Sequence, residues 1–139
     1  MRLKKLLPNG LAKFNFADNG SSSIEMAMKI SFQYFQQAGF PQKKRFMALT
    51  DAYHGETISA LSIGDCDLYT KIYKPILMDI IKVQAPDCFR CPYGKCRENC
   101  ECECFEHAEK MFEKYNRFQD LVQPICKIGF LVALQCLKT

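Results

Sequence analysis

The stretch Asp18-Asn19-Gly20-Ser21-Ser22-Ser23 stands directly before a long run with apolar side chains every three or four positions. A glycine turn that opens a helix leaves backbone N–H groups pointing out of the helix start, and the helix dipole adds positive potential there. That combination holds anions, phosphate above all. Gly20 would let a ligand reach the backbone unhindered, and Ser21 and Ser22 would add hydroxyl donors. The same residues also read as a plainly capped helix, with Ser22 and Glu25 as a capping box and Asp18 closing the turn. On physics alone both readings stand.

A second group is Tyr53-His54-Gly55, within Asp-Ala-Tyr-His-Gly-Glu-Thr at positions 51–57. It follows an apolar run, so it belongs at the carboxyl end of a strand, where open α/β sheets bind their ligands. An aromatic ring beside an anion cradle suits a flat phosphorylated cofactor, with the cradle on the phosphate and the ring on the heterocycle. The alternatives are a core aromatic at Tyr53 and a His54 that bonds only to its neighbours. A third group is Cys88, Cys91, Cys96, Cys100, Cys102 and Cys104, six thiols in a short stretch. Cys88-x-x-Cys91 is a zinc half-site whose second pair would come from Cys96, Cys100, Cys102 or Cys104, at a separation shorter than in zinc ribbons. Plain thiols are the competing reading. His107 falls on a polar helix face, where it would be solvated.

These groups need elements to position them. Residues 3–12 read as a short helix ended by Pro8-Asn9-Gly10, and 13–17 as a short strand with Phe14 and Phe16 on one face. Ser22 to Ala38 is the strongest helix, with Ile24, Ala27, Met28, Ser31, Phe32, Phe35 and Ala38 forming its buried stripe and Gly39 and Pro41 ending it. Residues 45–50 form a strand apolar enough to be covered on both faces. A helix follows at 56–63, broken by Gly64-Asp65, then a strand at 78–83, an irregular cysteine-rich loop at 85–104 and an amphipathic helix at 105–115. Alternating strands and helices of these lengths predict an α/β fold with a mostly parallel sheet and flanking helices.

The chain has 139 residues, 48% of them hydrophobic and 24% charged, the balance of one globular domain. Its net charge of +4 is spread out, and the basic groups lack the interleaved aromatics of a nucleic-acid binder, so no nucleic-acid partner is expected. No segment reads as a signal peptide or a membrane span, which leads to an expected cytoplasmic location. Nine cysteines without a secretion signal point to thiols or metal ligands rather than a disulfide framework.

Residues 16–39, 45–65 and 85–94 resemble the class III aminotransferases that use pyridoxal phosphate (PLP), over about Leu6 to Tyr115. Within that family the likeness is to the branch serving biotin synthesis. The resemblance implies a fold-type I large domain and a homodimer. It implies transfer of an amino group from S-adenosylmethionine to 8-amino-7-oxononanoate, giving 7,8-diaminononanoate. Gly20 and Ser21 would bind the cofactor phosphate, Tyr53 would stack on its ring, and His54 and Gly55 would shape that wall. The family's cofactor-binding lysine and its ring-nitrogen carboxylate have no counterpart here, so no catalytic residue is assigned and the chain alone is expected to be inactive. Residues 1–118 would be the N-proximal part of the large domain. Residues 119–139 depart from the pattern, beginning with Gln123 where a Glu would precede Pro124, as a truncated or frame-shifted gene copy would. A class III enzyme with another donor or acceptor, and a non-enzymatic zinc or thiol module, remain as alternatives.

Overall fold

The computed structural model describes Lys5 and residues 14–117. The helix expected at 3–12, residue 13 and the tail from 118 lie outside that set, apart from Lys5. In chain order the elements are α1 (Gly20–Gln37), β1 (Phe46–Leu49), α2 (Ile58–Ile63), α3 (Asp67–Thr70), a 3-10 turn (Lys74–Ile76), β2 (Ile80–Val83) and α4 (Glu103–Arg117).

The strands β1 and β2 pair in parallel, Phe46 opposite Ile80 through Leu49 opposite Val83. Successive side chains leave a strand on opposite faces, so each short strand serves two cores. Phe46, Ala48 and Ile80 pack with Met28 and Ile24 of α1 and Ile63 of α2 on one face. Met47, Ile81 and Val83 pack with Ala108, Met111 and Phe112 of α4 on the other. The result is a helix–sheet–helix sandwich, which explains why both strands are apolar almost throughout.

Gly39 ends α1 as a left-handed C-terminal residue at φ +84°. The Phe40 N–H donates to the Phe35 carbonyl at 2.9 Å, and the two rings meet edge to face, as in a Schellman close.

Several sequence expectations change. Residues 14–17 form no strand, and Phe16 is largely exposed; alternation alone cannot make a strand without a neighbour to pair with. Phe32 and Ala38, expected in the buried stripe of α1, are exposed, and the stripe is carried by Ile24, Met28 and Phe35. The Ser22–Glu25 capping box does not form. Asn19 is the N-cap, its side chain accepting from the Ser22 N–H at 2.8 Å, and Glu25 is engaged elsewhere. Asn caps as well as Ser does, and its position one residue before Gly20 moves the helix start forward.

Candidate functional site

The N-terminus of α1 is the first part of the site. Asn19 takes up the third and fourth N–H groups, from Ser22 through its side chain and from Ser23 through its carbonyl at 3.1 Å. Among the described residues, no acceptor meets the N–H groups of Gly20 and Ser21. A Cβ built on Gly20 would meet nothing within 4 Å. Two donors that meet no acceptor among the described residues therefore stand at the positive end of an 18-residue helix, with open space beside the Gly20 Cα.

The loop leaving β1 is the second part. Gly55 is buried and has φ +118°, a conformation side chains rarely adopt. A Cβ there would overlap the Ser21 hydroxyl and lie 2.8 Å from the Ser21 Cβ. The backbone of this loop thus rests directly on the α1 start, so Ser21 and Gly55 meet although they are far apart in the chain. Tyr53 is 58% exposed. Its hydroxyl donates to Glu56 Oε1 at 3.3 Å, and its ring tilts against Tyr69 with centroids 5.4 Å apart. Slight desolvation first, then the Glu56 charge, push its phenol above the usual value. It is no core aromatic. His54 is half-buried; burial first and the Lys82 charge second lower its pKa and favour the neutral ring.

Two charged side chains that the sequence reading left without this role hold the loop in place. Glu25 Oε1 on α1 accepts from the Ser59 N–H at 2.7 Å and the Ala60 N–H at 3.4 Å, at the start of α2. Lys82 on β2 donates to the carbonyls of Ser62, Ile63 and Gly64 at the end of α2. Negative charge at a helix start and positive charge at its end both complement the dipole. Burial lowers the Lys82 pKa, with Asp65 opposing. The one sequence signal for Glu25 was its spacing, one turn beyond Ser21 on the same helix face.

The cysteine loop organises itself. Asp87 accepts from the N–H groups of Phe89 at 3.0 Å and Arg90 at 2.9 Å, closing the turn that carries Cys88 and Cys91. Asn99 accepts from the Cys96 N–H at 2.8 Å. Cys88, Cys91, Cys96, Cys100 and Cys104 line one small cavity. Even so, among the described residues no three His, Cys, Asp or Glu side chains are arranged to hold a metal ion, and the seven described cysteines are free thiols. Burial first, then the neighbouring Cys100, raises the Cys102 and Cys104 pKa values. His107 is exposed, as expected.

Residues 1–120 match the sequence pattern of the family described as aminotransferase class-III. This chain belongs to the class-III aminotransferases. Adenosylmethionine-8-amino-7-oxononanoate aminotransferase of Geobacter sulfurreducens is 39% identical over 115 residues, covering 82% of this chain and 25% of that protein. The enzyme of the same name from Nitratidesulfovibrio vulgaris is 39% identical over 116 residues, covering 82% and 21%. This class-III aminotransferase chain thus spans about a quarter of the length of the curated relatives it matches. The crystal structure of the Methanocaldococcus jannaschii protein of that name superposes on 87% of the chain and 24% of its own length, with a TM-score of 0.72 at 24% identity. An omega transaminase from Pseudomonas jessenii, solved with PMP, gives 0.74 over 86% and 26% at 20% identity. At those identities the structures speak for the fold, the fold of PLP-dependent transaminases. Among the described residues no helix is long and apolar enough to cross a membrane.

Proposed function

We propose that this chain is the cofactor-phosphate-binding part of a cytoplasmic, homodimeric transaminase of biotin synthesis, which takes the amino group of S-adenosylmethionine and gives it to 8-amino-7-oxononanoate to form 7,8-diaminononanoate. Residues 1–118 are its share of the large domain, and 119–139 a divergent tail. The names of the 39% identical relatives support the substrates. The cofactor is pyridoxal phosphate, which supplies an electron sink for moving protons at a substrate carbon.

The observation that carries the reading is the seat of Gly55 on Ser21. It brings the strand-end loop and the helix start together, as a phosphate-and-ring site requires. The residues fit the phosphate end: among the described residues the Gly20 and Ser21 N–H groups meet no acceptor, the space beside the Gly20 Cα is open, and Ser21 brings a hydroxyl to the same helix start. Tyr53 offers a half-exposed ring for the heterocycle, while neutral His54 and Gly55 form the wall.

The test has two arms. Calorimetric titration of the chain uses pyridoxine 5'-phosphate, which lacks the aldehyde and cannot react with surface lysines, and pyridoxine as the control. Binding of the phosphate ester alone is the expected result; equal or absent binding overturns the cradle. In the second arm residues 14–117 replace the matching stretch of the Geobacter sulfurreducens relative. The chimera is expected to form 7,8-diaminononanoate with S-adenosylmethionine as donor. Turnover only with another amine would overturn the donor assignment.

A further inference from the structure

The candidate site is built from two pieces far apart in sequence, and something must fix their relative height. Ser21 and Glu25 lie one helical turn apart on the same face of α1. Gly55 and Ser59 have the same separation on the opposing segment. Ser21 meets the Gly55 backbone, and Glu25 meets the Ser59 and Ala60 N–H groups. The two segments are therefore joined at two matched points, one by close packing and one by a charged hydrogen bond.

Thr57, the N-cap of α2, makes no capping hydrogen bond of its own. The free N–H groups at the start of this short helix are served from α1 instead. Lys82 ties the far end of α2 to β2, and Glu25 ties its near end, the end beside Gly55, to α1; packing of Gly55 on Ser21 adds contact but little direction. A carboxylate accepting two N–H groups is directional and strong.

We propose that Glu25 is a positioning residue for the cofactor-phosphate cradle: its grip on Ser59 and Ala60 sets Gly55 on Ser21 and so fixes how the Tyr53–Gly55 wall faces the free N–H groups of Gly20 and Ser21. This rests on the reading of Gly20 and Ser21 as the phosphate site.

The experiment compares wild type with Glu25→Ala, Glu25→Asp and Glu25→Gln in the 139-residue chain. Each is titrated with pyridoxine 5'-phosphate by calorimetry, and by amide chemical shifts of Gly20, Ser21 and Gly55, well below the melting temperature. Glu25→Gln keeps an acceptor oxygen at the same reach and is expected to stay within about threefold of wild type. Glu25→Ala removes the grip and is expected to weaken binding by about tenfold or more, as loss of an orienting outer partner does. Glu25→Asp keeps the charge but shortens the arm. It is expected to weaken binding while remaining folded, which keeps the proposal open to refutation should the alanine variant fail to fold. In the unliganded alanine and aspartate variants the Gly55 amide moves, while Gly39, at the far end of α1, does not. Affinities of Glu25→Asp and Glu25→Ala equal to wild type, with only the melting temperature lowered, overturn the proposal and leave the cradle standing. A wild-type chain that binds no phosphate ester overturns both.

Discussion

Gly55 carries two constraints at one position, a backbone at φ +118° and a neighbour that fills the place of a side chain. Gly55→Ala is therefore expected to destabilise the chain by about 1–3 kcal/mol, the usual cost of a forced left-handed conformation. It should also weaken pyridoxine 5'-phosphate binding, because the Ser21 hydroxyl must move aside. Urea midpoints and calorimetric affinity read the two effects separately, and an alanine variant as stable as wild type would contradict the geometry. Gly20→Ala is the control: it meets open space and should alter stability by less than about 1 kcal/mol. The sequence marked both glycines as special, since a glycine next to polar turn residues stands out. It could not say that Gly55 touches Ser21, because the contact spans a strand, a turn and most of α1.

The six-residue helix α2 is too short to be stable alone, and it is held at its two ends by charges from two other elements. For Glu25, burial alone would raise the pKa, yet hydrogen bonds from the side chains of Ser59 and Thr57 and the N–H groups of Ser59 and Ala60 bring it below the ordinary 4.5. A depressed folded value means that the carboxylate adds stability above pH 4.5 and loses it as the pH falls through the folded value. Glu25→Gln removes that titration. The stability gap between wild type and Glu25→Gln should therefore be fully open above pH 4.5 and close as the pH falls through the lower folded value, a change that paired urea midpoints would follow. A constant gap would mean that the carboxylate is not the titrating group. At the other end, Lys82→Met would strip the donor from three carbonyls at the helix end. The expected cost is about 1–3 kcal/mol, read as a lower urea midpoint. At this scale the sequence was legible where periodicity is strong, as in α1, β1 and α4. It was not legible for residues 14–17, where pattern without a partner made no strand, nor at residue 25, where a local motif competed with a long-range partner and lost.

The sandwich is thin: two four-residue strands with helices on both faces. Among the described residues, the outer edges of β1 and β2 have no strand beside them. Parallel sheets this small are marginal, and open edges invite pairing with another chain. The surface adds a second route. Leu68 is 81% exposed and Ile72 83%, with Tyr69, Tyr73 and Ile76 also exposed along α3 and the turn after it. Exposed apolar side chains clustered along one short segment drive association in water. The chain is therefore expected to self-associate in sedimentation velocity at about 50 μM, within the range where exposed apolar surface and strand edges aggregate. The two routes make different predictions. If the α3 surface drives association, the double variant Leu68→Glu/Ile72→Glu sediments as a smaller species at the same concentration, and added sulfate restores association by strengthening apolar burial. If the sheet edges drive it, that variant behaves as wild type, and Arg45→Pro, placed directly before β1, disperses the chain. A monomer at this concentration for wild type would mean that neither surface is sticky enough to matter. The degree of exposure at Leu68 and Ile72, against a single ladder of pairing along each edge, makes α3 the stronger driver.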